Sequence, residues 1–215
     1  MSELADDPWS ALRLPDGARV LFLAPGPHGL ACAQGLAAPP TPCRWTVLHD
    51  YTLRQSQGAL PWSNASAAYF RGQAARLPFA RHAFDAVLSF ETLFAVRPPW
   101  TVLAELHRVL KPDGVLLLVE PASEGFFSML RARLLGPGKR VYPKDELTGR
   151  LTRADFAVEA AEAHAALPGF PRAAWRIVAK KLEFPADAPP TWTTAKELYA
   201  RQRKPGAAAE APAES

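Results

Sequence analysis

Cysteine is almost missing from this chain. Cys32 and Cys43 are the only two in 215 residues, too few for a disulfide scaffold and spaced neither as metal ligands nor as a redox pair, so both read as free buried thiols in a reducing compartment. Long apolar runs are missing too. None approaches the roughly 20 residues of a membrane span, and Met1 to Asp16 is acidic and broken by Pro8 and Pro15, unlike a signal peptide. The cytoplasm is the expected compartment. There is no dense basic cluster interleaved with aromatics, and the net charge of +4 arises from 25 basic and 21 acidic residues spread along the chain, so no nucleic-acid partner is expected. No internal repeat and no Gly-x-Gly-x-x-Gly loop are found, and the second absence counts against a nicotinamide-dependent enzyme.

What is present is strongest between Ala104 and Pro121, AELHRVLKPDGVLLLVEP. Trp100, Leu103, Leu106 and Leu110 recur at helical spacing, with Glu105, His107 and Arg108 interleaved, which predicts an amphipathic helix with one core face. Lys111 to Gly114 is expected to stop it, because Pro112 lacks an amide hydrogen and Gly114 can take a positive φ. Val115 to Val119 is then a continuous apolar run of strand length. With no alternation, it should be covered on both sides, as in parallel sheets flanked by helices.

Strand and helix signals alternate along most of the chain. Ala18 to Leu23, Arg44 to His49, Ala68 to Arg71 and Phe84 to Phe90 read as strands, and Leu30 to Ala38 as a helix after the Pro/Gly loop Ala24 to Gly29. Gly125 to Leu135 and Lys144 to Asp155 read as further helices. Ala157 to Ala163 and Ala173 to Lys181 read as two closing strands. The expected architecture is α/β: one Rossmann-like domain over residues 18–182, built on a mostly parallel seven-stranded sheet with helices on both faces. Residues 1–17 precede it as a short segment. Residues 183–215 form a Pro- and Ala-rich tail with few large apolar side chains, expected to be poorly ordered around a short helix near Thr193 to Arg203.

Two stretches carry a family pattern: ELHRVLKPDGVLLLVEP, and RGQAARLPFARHAFDAVLSF from Arg71 to Phe90. In order and spacing they resemble the third to fifth strands of the class I S-adenosylmethionine-dependent methyltransferases, most closely the type 11 branch that includes small-molecule and quinone-ring methylating enzymes. The resemblance spans Ala18 to Lys181. It implies the methyltransferase fold, S-adenosyl-L-methionine as cofactor, and a binding site beyond the carboxyl ends of the strands.

The same resemblance assigns candidate cofactor contacts. The family's first strand ends in an acid followed by Gly-x-Gly-x-Gly; here Phe22 stands at the acid, Ala24 at the first glycine, Gly26 at the second and His28 at the third. Phe22 cannot accept a hydrogen bond from the cofactor's ammonium group, and Pro25 and Pro27 remove two amide donors, so a weaker grip is expected in a degenerate loop. A carboxylate at the end of the second strand would accept both ribose hydroxyls, and either His49 or Asp50 stands there. Asp50 is the better choice, since neutral His offers one acceptor at most. Gly72-Gln73-Ala74 replaces the usual Gly-Asp-Ala after the third strand; the Gln73 carbonyl can accept from the adenine amino group, with Ala74 beside it.

Catalysis needs little beyond the cofactor, because its methyl group sits on an already activated sulfonium and rate comes from alignment and exclusion of water. Of His28, His49, His82, His107 and Glu91, only Glu91 lies at the expected mouth of the site, which makes it a weak candidate for a base. His107 reads as structural and His82 as solvated. Phe126, Phe127, Met129, Leu130, Leu134 and Leu135, with Arg131, Arg133, Lys139 and Arg140, make an apolar helix with a basic margin. It can pack on the sheet, cover an apolar small-molecule acceptor, or touch a membrane surface peripherally; Trp62 and Tyr69 are open between core and pocket. Two functions stay open: methyl transfer to a small, apolar molecule, and a catalytically inactive binding module with a protein partner.

Overall fold

The structure, a computed structural model, describes residues 12–23, 41–50, 67–122, 141–164 and 173–183. Their strands are β1 (Arg19–Leu23), β2 (Arg44–Asp50), β3 (Ala68–Gly72), β4 (Phe84–Phe90), β5 (Leu110–Pro121), β6 (Phe156–His164) and β7 (Ala174–Lys181). They form one sheet in the order β3-β2-β1-β4-β5-β7-β6. β1 to β5 pair in parallel, and β7 runs antiparallel between β5 and β6. The expected sheet is observed. Three described helices accompany it: α1 (Thr92–Ala95), α2 (Pro99–Val109) and α3 (Lys144–Arg153).

The central strands are apolar throughout because each faces two cores. Leu116 and Leu118 of β5 join Leu21, Leu23 and Val87 on one face of the sheet, where Val102, Leu103 and Leu106 of α2 and Leu147 and Leu151 of α3 also pack. Leu117 and Val119 turn to the other face, with Val20, Phe22, Leu88 and Phe90. Burying each such side chain contributes about 1.5–3 kcal/mol, so an uninterrupted run such as Val115 to Val119 can be satisfied only in a doubly covered strand. Both long described helices lie over one face. The helices expected at 30–38, 125–135 and 193–203 fall outside the described residues.

Several expectations are corrected. Trp100 does not join the core face of α2; it is 59% exposed, with the Arg150 guanidinium 6.0 Å above its ring. Val102 and Val109, fully buried, complete the face instead. The segment after α2 is the opening of β5 rather than a separate turn: register jumps from Phe84↔Leu110 to Ala86↔Val115, so residues 111–114 bulge out between the two pairings. Asp113, not Gly114, takes the positive φ there, at 59°. Gly114 is needed for close approach, since a Cβ on it would lie 2.8 Å from the Lys111 carbonyl oxygen. α3 stops at Arg153, before the expected Asp155, whose own φ is 59°. Cys43 is a free thiol but only half-buried.

Candidate functional site

The sheet order reverses direction between β1 and β4, and ligands of such sheets bind beyond the carboxyl ends of the strands near that point. Of the residues selected from the sequence, Asp50, Gln73, Ala74 and Glu91 stand at the carboxyl ends of described strands of this sheet. Asp50, the last residue of β2, is the register partner of Gly72, the last of β3. Gln73 and Ala74 follow at once, so Asp50 and the Gly72-Gln73-Ala74 turn are neighbours across adjacent strands although more than twenty residues separate them in the chain. The turn is closed by the Arg76 amide donating to the Gln73 carbonyl at 3.0 Å, and Ala74 is buried beneath it. Gly72 is tightly enclosed: a Cβ would stand 3.1 Å from Leu48 Cδ1 and 3.3 Å from Pro78 Cδ. Ala24, Gly26 and His28 lie outside the described residues.

Phe22, at the position of the family's acid, is a core side chain. It is 1% exposed and its ring meets that of Phe90 with centroids 5.4 Å apart. The aromatic pair joins β1 and β4 just below the strand ends, where a carboxylate would otherwise bring charge. His49, the other candidate beside Asp50, has its ring stacked on Tyr69, with centroids 5.7 Å apart and planes 12° from parallel. Tyr69 belongs to the edge strand β3 and is 44% exposed, so it is not a core residue.

Glu91 follows β4 at the carboxyl edge as expected, but it is buried rather than open to a mouth, with 2% exposure. It is the N-cap residue of α1, in the left-handed region at φ 55°, and its amide donates to the Val119 carbonyl at 2.8 Å. Beside it stands a residue the sequence reading missed. Glu120, near the end of β5, accepts hydrogen bonds from the amides of Leu93 at 2.8 Å and Phe94 at 2.9 Å, capping α1 from another strand. Burial pushes its carboxyl up to about 8; the bonds from Leu93 and Phe94 oppose this, and the charge of Glu91 adds to it. An acid closing the run Val115 to Val119, in a strand that ends at the carboxyl edge, was the signal that could have found it. Ser89 and Thr92 share a buried hydrogen bond of 2.7 Å in the same turn.

His82 and His107 are at the other edge of the sheet. His82 precedes β4, and its amide donates to the Arg108 carbonyl; its ring lies 3.4 Å from Glu183. His107, on the last turn of α2, meets the Leu182 carbonyl at 3.2 Å and the Phe156 ring edge-on, and burial pushes its pKa down. Neither reaches the carboxyl edge. Among the described residues no group of His, Cys, Asp and Glu could hold a metal ion, and no helix is long and apolar enough to cross a membrane. The apolar segment at 126–140 and Trp62 lie outside the described residues.

At the adenine and ribose end, the residue types present suit S-adenosylmethionine: Asp50, which carries a carboxylate, and the Gly72-Gln73-Ala74 turn, which carries an amide, adjoin at the strand ends. At the ammonium end Phe22 does not fit, being apolar and packed away.

Comparison with known proteins agrees with the architecture. Solved structures of the same fold include a chain of the complex between the Haloferax volcanii Trm112 methyltransferase activator and a methyltransferase, at TM-score 0.63 and 17% identity over 81% of this chain and 87% of that one. A Bacillus halodurans methyltransferase matches at TM-score 0.63 and 16% identity, covering 81% and 96%. A Methanosarcina mazei S-adenosylmethionine-dependent methyltransferase matches at TM-score 0.55 and 20% identity, covering 80% and 95%. Comparison with curated proteins gave no match. Residues 30–118 match the model of a methyltransferase domain family. This region is therefore similar to the methyltransferase-domain family, and the chain has the seven-stranded fold of the solved methyltransferases it resembles.

Proposed function

We propose that this protein transfers a methyl group from S-adenosyl-L-methionine to a small, apolar molecule. The observation that carries the reading is the register of β2 on β3, in which Asp50 and the Gly72-Gln73-Ala74 turn adjoin at the carboxyl edge. A carboxylate there can accept both ribose hydroxyls, and the Gln73 carbonyl can accept from the adenine amino group. When bound, the cofactor supplies a methyl group already activated on its sulfonium, so the protein's part is to bind, orient and exclude water. Ala24, Gly26 and His28 belong to the backbone loop proposed for the methionine end. Glu91, buried beside Glu120, is the proposed base for an acceptor that must lose a proton. The apolar segment 126–140 is the proposed cover of the acceptor, which argues for an apolar substrate.

A second reading, a methyltransferase fold kept as a binding module without catalysis, is favoured by Phe22. Its burial against Phe90 removes the charge that would offset the cofactor's ammonium group. A protein partner would suit that reading, as the Trm112 activator partners the similar methyltransferase of Haloferax volcanii. Calorimetry with S-adenosylmethionine and S-adenosylhomocysteine separates the two. The first reading expects micromolar binding of both; no heat at millimolar ligand would reject it in favour of the second.

A further inference from the structure

Two side chains one turn apart on α2 fasten the segment that leaves β3. The Glu105 carboxylate accepts the Leu77 amide hydrogen through Oε2 at 2.7 Å. Arg108 donates to both oxygens of Glu105, from Nε to Oε1 and from Nη2 to Oε2, each at 2.8 Å. It also donates from Nη1 to the Phe79 carbonyl at 2.7 Å and from Nη2 to the Leu77 carbonyl at 3.0 Å. Three backbone groups between Leu77 and Phe79 are thus held by charge-assisted bonds, and the rigid fork of a guanidinium is what lets one residue serve a carboxylate and two carbonyls together. The Arg108 guanidinium holds the Glu105 carboxyl below the usual carboxylate range, and the Glu105 carboxylate raises Arg108.

An ion pair that met only water on a helix surface would matter little. This one reaches a segment far away in sequence, and what it holds leads directly to the candidate site. Pro78, between the two fastened carbonyls, packs back on Gly72, where a Cβ would come within 3.3 Å of its Cδ. Gly72 opens the turn that the Arg76 amide closes on the Gln73 carbonyl. Ala74 and Leu77, both buried, anchor the turn and the clamped strand of chain in the same core as α2. Displacing residues 77–79 would take Pro78 with them and loosen its packing on Gly72, where the turn begins.

We propose that Glu105 and Arg108 are positioning residues for the cofactor: they hold the Gly72-Gln73-Ala74 turn in the shape that receives the adenine end. The inference rests on the S-adenosylmethionine reading above and goes beyond it, since neither residue lies at the carboxyl edge. It also gives a physical reason why the Leu-Pro-Phe stretch at 77–79 and the Glu-x-x-Arg of α2 occur together in one chain.

The test combines calorimetry with S-adenosylhomocysteine and hydrogen–deuterium exchange on the full chain, for the wild type, Arg108→Lys and Glu105→Gln. Arg150→Lys serves as the comparison, because Arg150 pairs with Glu146 on α3 in a similar way. Lysine keeps the charge of Arg108 but cannot make the fork. Arg108→Lys is expected to speed exchange in the peptide covering 73–79 and to weaken S-adenosylhomocysteine about tenfold, while the strands keep their protection and Arg150→Lys binds as the wild type does. Glu105→Gln, which loses the charge and keeps one acceptor, should show the same local effect and stands in if Arg108→Lys does not fold. Wild-type affinity in both clamp variants would overturn the inference and leave the cofactor reading intact, and so would an equal loss in Arg150→Lys or a rise in exchange across the whole sheet. No binding by the wild type would overturn the cofactor reading, and the inference with it.

Discussion

Glu120 is a buried carboxyl group, 1% exposed, that accepts hydrogen bonds from the Leu93 and Phe94 amides of a one-turn helix. Its pKa of about 8 in the folded chain stands above the ordinary value of 4.5. Between these two values the folded state keeps a proton that the unfolded state has released. The contribution to stability is therefore fully present below the ordinary value and is lost as pH rises through the folded one, with a limiting slope of about 1.4 kcal/mol per pH unit. Chemical denaturation at several pH values from 5 to 8 checks this: Glu120→Gln should remove a downward slope that the wild type shows. Equal slopes would mean that Glu120 does not titrate in the folded chain over this range.

At the scale of elements, the junction of α2 with β5 and the interior of α3 make opposite predictions for the same substitution. At Gly114 a Cβ would press on the Lys111 carbonyl oxygen and stand 3.2 Å from that of Asp85, so Gly114→Ala should destabilise by about 1–3 kcal/mol. At Gly149, inside α3, a Cβ would meet nothing within 4 Å, and Gly149→Ala should stabilise by about 0.5–1 kcal/mol. Denaturant midpoints of the two variants check both signs. The strands were legible in the sequence because their apolar runs are long and doubly covered: FDAVLSF becomes β4 without a shift at either end. What was illegible depended on partners distant in the chain. α1 is one turn long, and its start is held by Glu120 from β5. Glu105 and Arg108 read only as polar residues interleaved on an amphipathic helix, because their partners at Leu77 and Phe79 come into reach only when α2 packs on the sheet. Trp100 misled through its spacing, since helical periodicity gives a residue's face but not where the helix meets its neighbours.

For the whole molecule, the sheet order accounts for both the division of the histidines and the gathering of the site. Strands that run parallel from β1 to β5 send Asp50, Gln73, Glu91 and Glu120 to one edge and leave His82 and His107 at the other. The family motifs at 71–90 and 104–121 fix this scaffold, whereas the cofactor contacts depend on shorter stretches around Phe22, Asp50 and Gln73. The fold was therefore easier to read than the site. The central claim is that the carboxyl edge of the sheet at Asp50 holds the ribose of S-adenosylmethionine, and calorimetric titration of S-adenosylhomocysteine into the wild type and Asp50→Ala tests it most directly. Loss of a charged acceptor should cost about 1.5–3 kcal/mol, a ten- to hundredfold weaker affinity in the variant. Equal affinities in the two proteins would contradict it.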